Sequence, residues 1–170
     1  MAYLGLLFVV ALDNAFLLLA PHGLGLRTAA PDLPLATAVY IGFRARNTRE
    51  LGLAILLGGL VDCFSARPLG HFAFLYGSAA YFALHVRRYV PSDAFISHIV
   101  ACLFCGVLTA LLGLLVSVAA GVGAIGPGLS RTLLEALTTA LVAPFVFSLW
   151  DRSRFFRRAL GGRGAYEFGR

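Results

Sequence analysis

The chain contains no lysine; all fourteen of its basic residues are arginine. No function attaches to that absence. A second shortage is more informative. Only 13% of the 170 residues are charged, 59% are hydrophobic, and the mean hydropathy is +0.85. A soluble domain carries about twice that share of charge. The composition therefore excludes a soluble globular protein and makes lipid the solvent. Cysteine is also scarce. Cys63, Cys102 and Cys105 are the three present, and they imply no disulfide framework. The chain has no Gly-rich phosphate loop, no nucleophile–base pair and no carboxylates at catalytic spacing. An enzyme is not expected, nor is a cofactor, a metal or a nucleic acid. The polar segments are all too short to fold a soluble domain of their own.

What is present is a series of apolar runs. Ala2 to Ala20 is the first and Leu33 to Phe43 the second. Leu51 to Phe64, Leu69 to Val86, Ala94 to Ala120 and Leu129 to Trp150 follow. Lipid-exposed chain must satisfy its backbone polar groups internally, so the runs predict helices. The expected fold is all-α: a polytopic membrane bundle of six transmembrane helices. Residues 1–150 form the transmembrane domain and 151–170 a basic cytoplasmic tail. A crossing needs about 20 residues, which leaves the second and third runs short. The second is expected to start near Ala29 and to include Pro31 and Pro34, which helix starts tolerate. The third can borrow Arg49 and Glu50, whose heads snorkel. A re-entrant hairpin over residues 51–86 would carry Arg67 deep into the bilayer at about 2.5–3.5 kcal/mol. Two full spans are preferred.

Orientation follows from the arginines. Six spans leave eleven arginines on the side of the termini: 44, 46, 49, 87, 88, 152, 154, 157, 158, 163 and 170. Three, Arg27, Arg67 and Arg131, fall on the other. The arginine-rich side is expected to be cytoplasmic. The first run lacks a basic n-region, so no cleaved signal peptide is expected. The tail from Asp151 to Arg170 anchors on that side, is attracted to anionic lipid, and has room for a cytoplasmic partner.

The acids divide by depth. Glu50, Asp93, Asp151 and Glu167 lie beside cytoplasmic arginines and are expected to be their solvated partners. Asp13, Asp32, Asp62 and Glu135 fall in the outer half or at its edge, with Asn14, Arg27, Arg67, His71 and Arg131 at similar depth. This outer polar cluster reads either as an interfacial fringe or as a cavity open to the outside, a pocket or partner contact. Asp13 discriminates best, because an unpaired carboxylate facing lipid costs about 2.5–3.5 kcal/mol. Asp62 is expected to be partly exposed and to brace its turn through Arg67.

The fifth run carries small residues at every fourth position: Ala101, Cys105, Thr109, Gly113, Ser117 and Gly121. Such a seam lets helix backbones approach closely, and packing inside the bundle is the expected use. His98, Cys102 and Cys105 share one face, a spacing that metal sites use. With no second cluster, they read as buried packing residues. His22, His71 and His85 lie near span ends, where solvation is expected.

Several short motifs follow in a recognisable order. Pro31-Asp32-Leu33-Pro34-Leu35 opens a span that closes on Tyr40-Ile41-Gly42-Phe43-Arg44. Gly58-Gly59-Leu60-Val61-Asp62 and Pro68-Leu69-Gly70 come next, then Tyr81 through Arg87-Arg88. Pro144 sits within a last span that runs into a basic tail. From about Ala11 to Arg154 the chain resembles the rod shape-determining membrane protein MreD. The resemblance implies a non-enzymatic inner-membrane subunit of the bacterial elongation machinery. It implies binding to MreC, a single-span protein whose periplasmic part engages RodA and a class B penicillin-binding protein, with the actin-like MreB on the cytoplasmic side. The family is similar in fold to the S components of energy-coupling-factor vitamin transporters. A transporter subunit that binds substrate through the outer cluster is therefore the alternative, and the small pair Ala11 and Ala15 suits either role.

Overall fold

The computed structural model describes residues 2–19, 30–65, 69–89, 95–119, 121 and 125–153. They form six α-helices, with no strand among the described residues. In chain order these are α1 (Ala2–Leu19), α2 (Leu33–Arg44), α3 (Gly52–Phe64), α4 (His71–Val86), α5 (Phe95–Ala119) and α6 (Ile125–Arg152). A 3-10 turn, Thr48–Leu51, leads into α3. The all-helical expectation holds, and most boundaries fall within two residues of the apolar runs.

Two boundaries need correction. α2 begins at Leu33, not near Ala29, because Asp32 is its N-cap. Its carboxylate accepts the Leu35 N–H at 2.8 Å, satisfying one of the four donors that a helix start leaves free. Pro34 sits in that first turn, where its missing N–H costs nothing. Gly121 lies beyond the end of α5, in a turn with φ of 68°. It closes the helix and is no part of a seam along it.

Helix α2 occupies the centre. Every residue from Pro34 to Phe43 is buried, and α2 packs against all five other helices. Two glycines set how closely its neighbours approach. A Cβ at Gly42 would lie 2.8 Å from the Ala83 Cβ and press on the Ala80 carbonyl oxygen of α4. A Cβ at Gly58 of α3 would lie 2.6 Å from the Ala73 N and press on the Phe72 carbonyl. Glycine is therefore required for α4 to rest backbone-close on both helices. A further tight approach joins α5 to α6, where a Cβ at Gly106 would lie 2.9 Å from the Ala136 Cβ.

The outer surface of the bundle is apolar. Ile96, Val100, Phe104, Leu111, Leu115 and Val118 of α5 are all exposed, as are Leu137, Leu141 and Phe145 of α6. Leu7 and Phe8 of α1, Ile55 and Leu56 of α3, and Phe74 and Phe82 of α4 continue the band. An apolar surface this extensive is a membrane or partner surface. Two windows, Ile96–Val116 and Thr132–Arg152, are long and apolar enough to cross a bilayer. Only 28% and 39% of them are buried, unlike the core helices of a soluble protein. The other helices are shorter. At 1.5 Å per residue α2 spans about 18 Å, α3 about 20 Å and α4 about 24 Å, against a hydrocarbon core of about 30 Å. Helix α2 is short without penalty, since its neighbours shield it from lipid.

Candidate functional site

The end of the bundle at which α2 and α4 begin gathers acidic side chains from several helices. Asp32 is its centre. Besides capping α2, its carboxylate accepts the Tyr76 hydroxyl of α4 at 3.0 and 3.1 Å. Its backbone N–H donates to the Thr139 Oγ1 of α6 at 2.8 Å, and that hydroxyl donates to the Glu135 carbonyl at 2.6 Å. Asp13 of α1 is half-buried beside the start of α2, within electrostatic reach of the Leu33 backbone and of Asp32, and Glu135 of α6 is likewise within reach of Asp32. Residues from α1, α2, α4 and α6 thus meet at the start of α2. Tyr76 and Thr139 belong to this network although their sequence context does not single them out. Each is a polar residue among several in a largely apolar helix, which is the available clue.

Asn14 does not join them. Its side chain is exposed and donates back to the Val10 carbonyl of its own helix at 2.8 Å. His71 opens α4, with its ring edge-on to Phe72 at 5.3 Å. Arg67 lies outside the described residues, as do Arg27, His22 and the side chains of Arg131 and Ser117.

Asp62 corrects the expectation of a partly exposed brace. It is 2% exposed. Its carboxylate accepts three backbone N–H groups, from Gly70 at 2.9 Å, Phe72 at 2.9 Å and Ala73 at 3.1 Å. The last residue-turn of α3 therefore caps the first turn of α4. Gly70, with φ of 93°, turns the chain so that these donors point back at α3. A helix N-terminus favours a carboxylate through both its free donors and its dipole.

Along α5 the seam residues Ala101, Cys105 and Thr109 are buried, and they face α4. The Cys105 Sγ lies 3.7 Å from the Ala79 carbonyl oxygen, and a Cβ at Gly113 would meet the Leu75 Cδ1 at an ordinary 3.7 Å. The tight α5–α6 approach at Gly106 lies beside this seam and not on it. His98 is held among aromatic rings, 4.7 Å from Phe147 and 6.4 Å from Phe43. Among the described residues no group of His, Cys, Asp or Glu has the arrangement of a metal site.

The arginine-bearing end is built differently. Asp151, expected as a solvated partner of nearby arginines, accepts the Arg44 guanidinium at 2.6 Å and also the Tyr40 hydroxyl at 2.9 Å, tying the end of α6 to the end of α2. The Trp150 Nε1 donates to the Thr37 Oγ1 at 3.1 Å one turn deeper. Arg87 of α4 donates to the Phe43 and Ala45 carbonyls, which the end of α2 leaves free. These contacts bring the arginine-bearing ends of α2, α4 and α6 to one face.

No curated protein and no solved structure matches the chain. The family model described as rod shape-determining protein MreD matches residues 1–152. That match takes in all six helices, the capped start of α2, the Asp62 cap and the Asp151 latch. The chain belongs to the MreD family of rod shape-determining membrane proteins.

Proposed function

We propose that this protein is a non-enzymatic, multi-pass subunit of the bacterial cell-elongation machinery in the inner membrane. In this reading it binds an MreC-like single-span protein and so supports peptidoglycan synthesis by RodA and a class B penicillin-binding protein, with MreB on the cytoplasmic side. The observation that carries the reading is the family match across the whole bundle. The polar groups at both ends support it as well. Asp32, Asp62, Arg87 and Asp151 are spent on helix caps and interhelical ties, as suits a rigid scaffold. Both termini are cytoplasmic in this proposal, on the strength of the eleven-to-three arginine split. All six helices cross or fill the membrane, with α2 shielded at the centre.

The test is capture of the tagged full chain from detergent-solubilised membranes of its own bacterium, combined with depletion in growing cells. The expected results are co-purification of an MreC-like protein and conversion of rods to round cells. Failure to capture any such protein, together with binding of a vitamin-sized ligand, overturns the proposal in favour of a transporter subunit.

A further inference from the structure

We propose that the turn between α2 and α3, together with the end of α4, forms a binding site for anionic phospholipid headgroups, with Arg46, Arg49 and Arg88 as its cationic groups. The site is independent of the partner-binding role above.

The argument begins with which arginines are already occupied. Arg44 is bridged to Asp151. Arg87 is spent on the Phe43 and Ala45 carbonyls, and in doing so it pins the end of α4 against the α2–α3 turn. The 3-10 turn packs on both α2 and α4. Arg46, Arg49 and Arg88 are therefore held on one face by a built framework. All three are exposed, and among the described residues none of them makes an ion pair. Two acids near them among the described residues are otherwise engaged. The Glu50 carboxylate is turned to the Arg46 backbone N–H at 2.8 Å, and Asp151 is held by Arg44 and Tyr40.

Position identifies the ligand. Arg49 precedes α3 by three residues, and α3 presents exposed Ile55 and Leu56 one turn further on. Arg88 follows the exposed Tyr81 and Phe82 of α4 and adjoins Tyr89, which is 87% exposed. These arginines thus lie at the end of the apolar band, and Arg88 is flanked by aromatic side chains suited to the membrane interface. Lipid phosphates lie at that level, and guanidinium binds phosphate through paired hydrogen bonds. An acidic protein surface would have to be supplied at the same depth. The headgroup layer is already there.

The test uses the purified full chain in detergent, given an equimolar mixture of phosphatidylglycerol and phosphatidylcholine, with bound lipid counted by native mass spectrometry. The expected result is a preference for phosphatidylglycerol of about tenfold or more at low salt, falling steeply at 1 M salt. Joint replacement Arg46→Gln, Arg49→Gln and Arg88→Gln should bring it to about twofold or less, with the melting temperature in phosphatidylcholine unchanged. Lysine at the same three positions should restore most of the preference, since charge is retained. Equal binding of the two lipids, or an undiminished preference in the glutamine variant, overturns the proposal. So does displacement of the bound lipid by millimolar inorganic phosphate, which would make this a free-phosphate site. Preferential capture of a polyglutamate peptide over phosphatidylglycerol would assign the surface to an acidic protein instead, and also overturns it.

Discussion

Replacing Asp62 by alanine removes the acceptor for three N–H groups at the start of α4. The Gly70 N–H is at an exposed residue and water can satisfy it. Phe72 and Ala73 are half-buried, and their donors would lose the carboxylate without a full substitute. A buried donor left unpaired costs about 1–3 kcal/mol, and an N-cap is worth about 0.5–2 kcal/mol on its own. Two such donors put the loss for Asp62→Ala at about 2–4 kcal/mol. Asp62→Asn keeps one oxygen and should lose about half as much. Arg67→Gln sets the contrasting scale. Were Asp62 chiefly one half of an exposed ion pair, the arginine variant would match the alanine variant, and both would cost about 0–1 kcal/mol. The assay is equilibrium unfolding in mixed micelles, read from the fluorescence of Trp150, the chain's one tryptophan, which is buried on Thr37. The expected order of loss is alanine, then asparagine, then the arginine variant. An alanine variant within about 0.5 kcal/mol of the parent would refute the capping argument.

Adjacent glycines should behave oppositely: Gly58→Ala meets backbone of α4 and is expected to cost about 1–3 kcal/mol, whereas Gly59→Ala meets nothing within 4 Å and should gain some tenths of a kcal/mol from helix propensity. The same unfolding assay should find Gly106→Leu damaging, through the 2.9 Å approach to Ala136, and Gly113→Ala nearly neutral, since its new Cβ makes ordinary contact at 3.7 Å; equal losses at 106 and 113 would contradict that packing. In a background with the exposed Cys63 replaced, a cysteine at Arg131 should react with an impermeant outer thiol reagent and one at Arg158 should not, and reversed labelling would invert the topology. Asp151→Asn weakens the tie to Arg44 and Tyr40; with both charged side chains about 40% exposed, a loss of no more than about 1 kcal/mol is expected from the same titration.

The helices were largely legible because apolar run length is a local property. Where reading failed, the cause was local chemistry overlooked or contacts the chain order hides. The α2 start belongs to the first kind: Asp32-Leu33-Pro34 spells an N-cap followed by an early proline, and the two prolines together drew the boundary too far back. Asp62 belongs to the second. Its position at the end of an apolar run suggests exposure, yet the returning chain lays the first turn of α4 over it. Tyr76 and Thr139 meet Asp32 across 44 and 107 residues, and no periodicity announces that. The α5 seam was visible as a pattern, but a pattern of small residues does not say which neighbour it serves. Gly106, one position off that register, makes the tighter contact.

The charges of this bundle divide by helix polarity. Helices α2 and α4 have their N-termini at one end of the bundle and their C-termini at the other, where Arg87 meets the end of α2. Asp32 and Asp62 each sit on one of those N-termini, and Asp13 lies beside the start of α2. Arg87, in turn, sits on the C-terminal carbonyls of α2. Acids at the one end and arginines at the other are thus what the free donors, the free acceptors and the dipoles of these two helices favour. The proposed topology, which puts the arginine-rich end in the cytoplasm, has the same sign, so packing and the arginine asymmetry reinforce each other. Arg46, Arg49 and Arg88 stand apart from this arrangement. They are exposed and make no ion pair among the described residues, so the fold has no evident need of them. That is the physical ground for assigning them to something outside the protein.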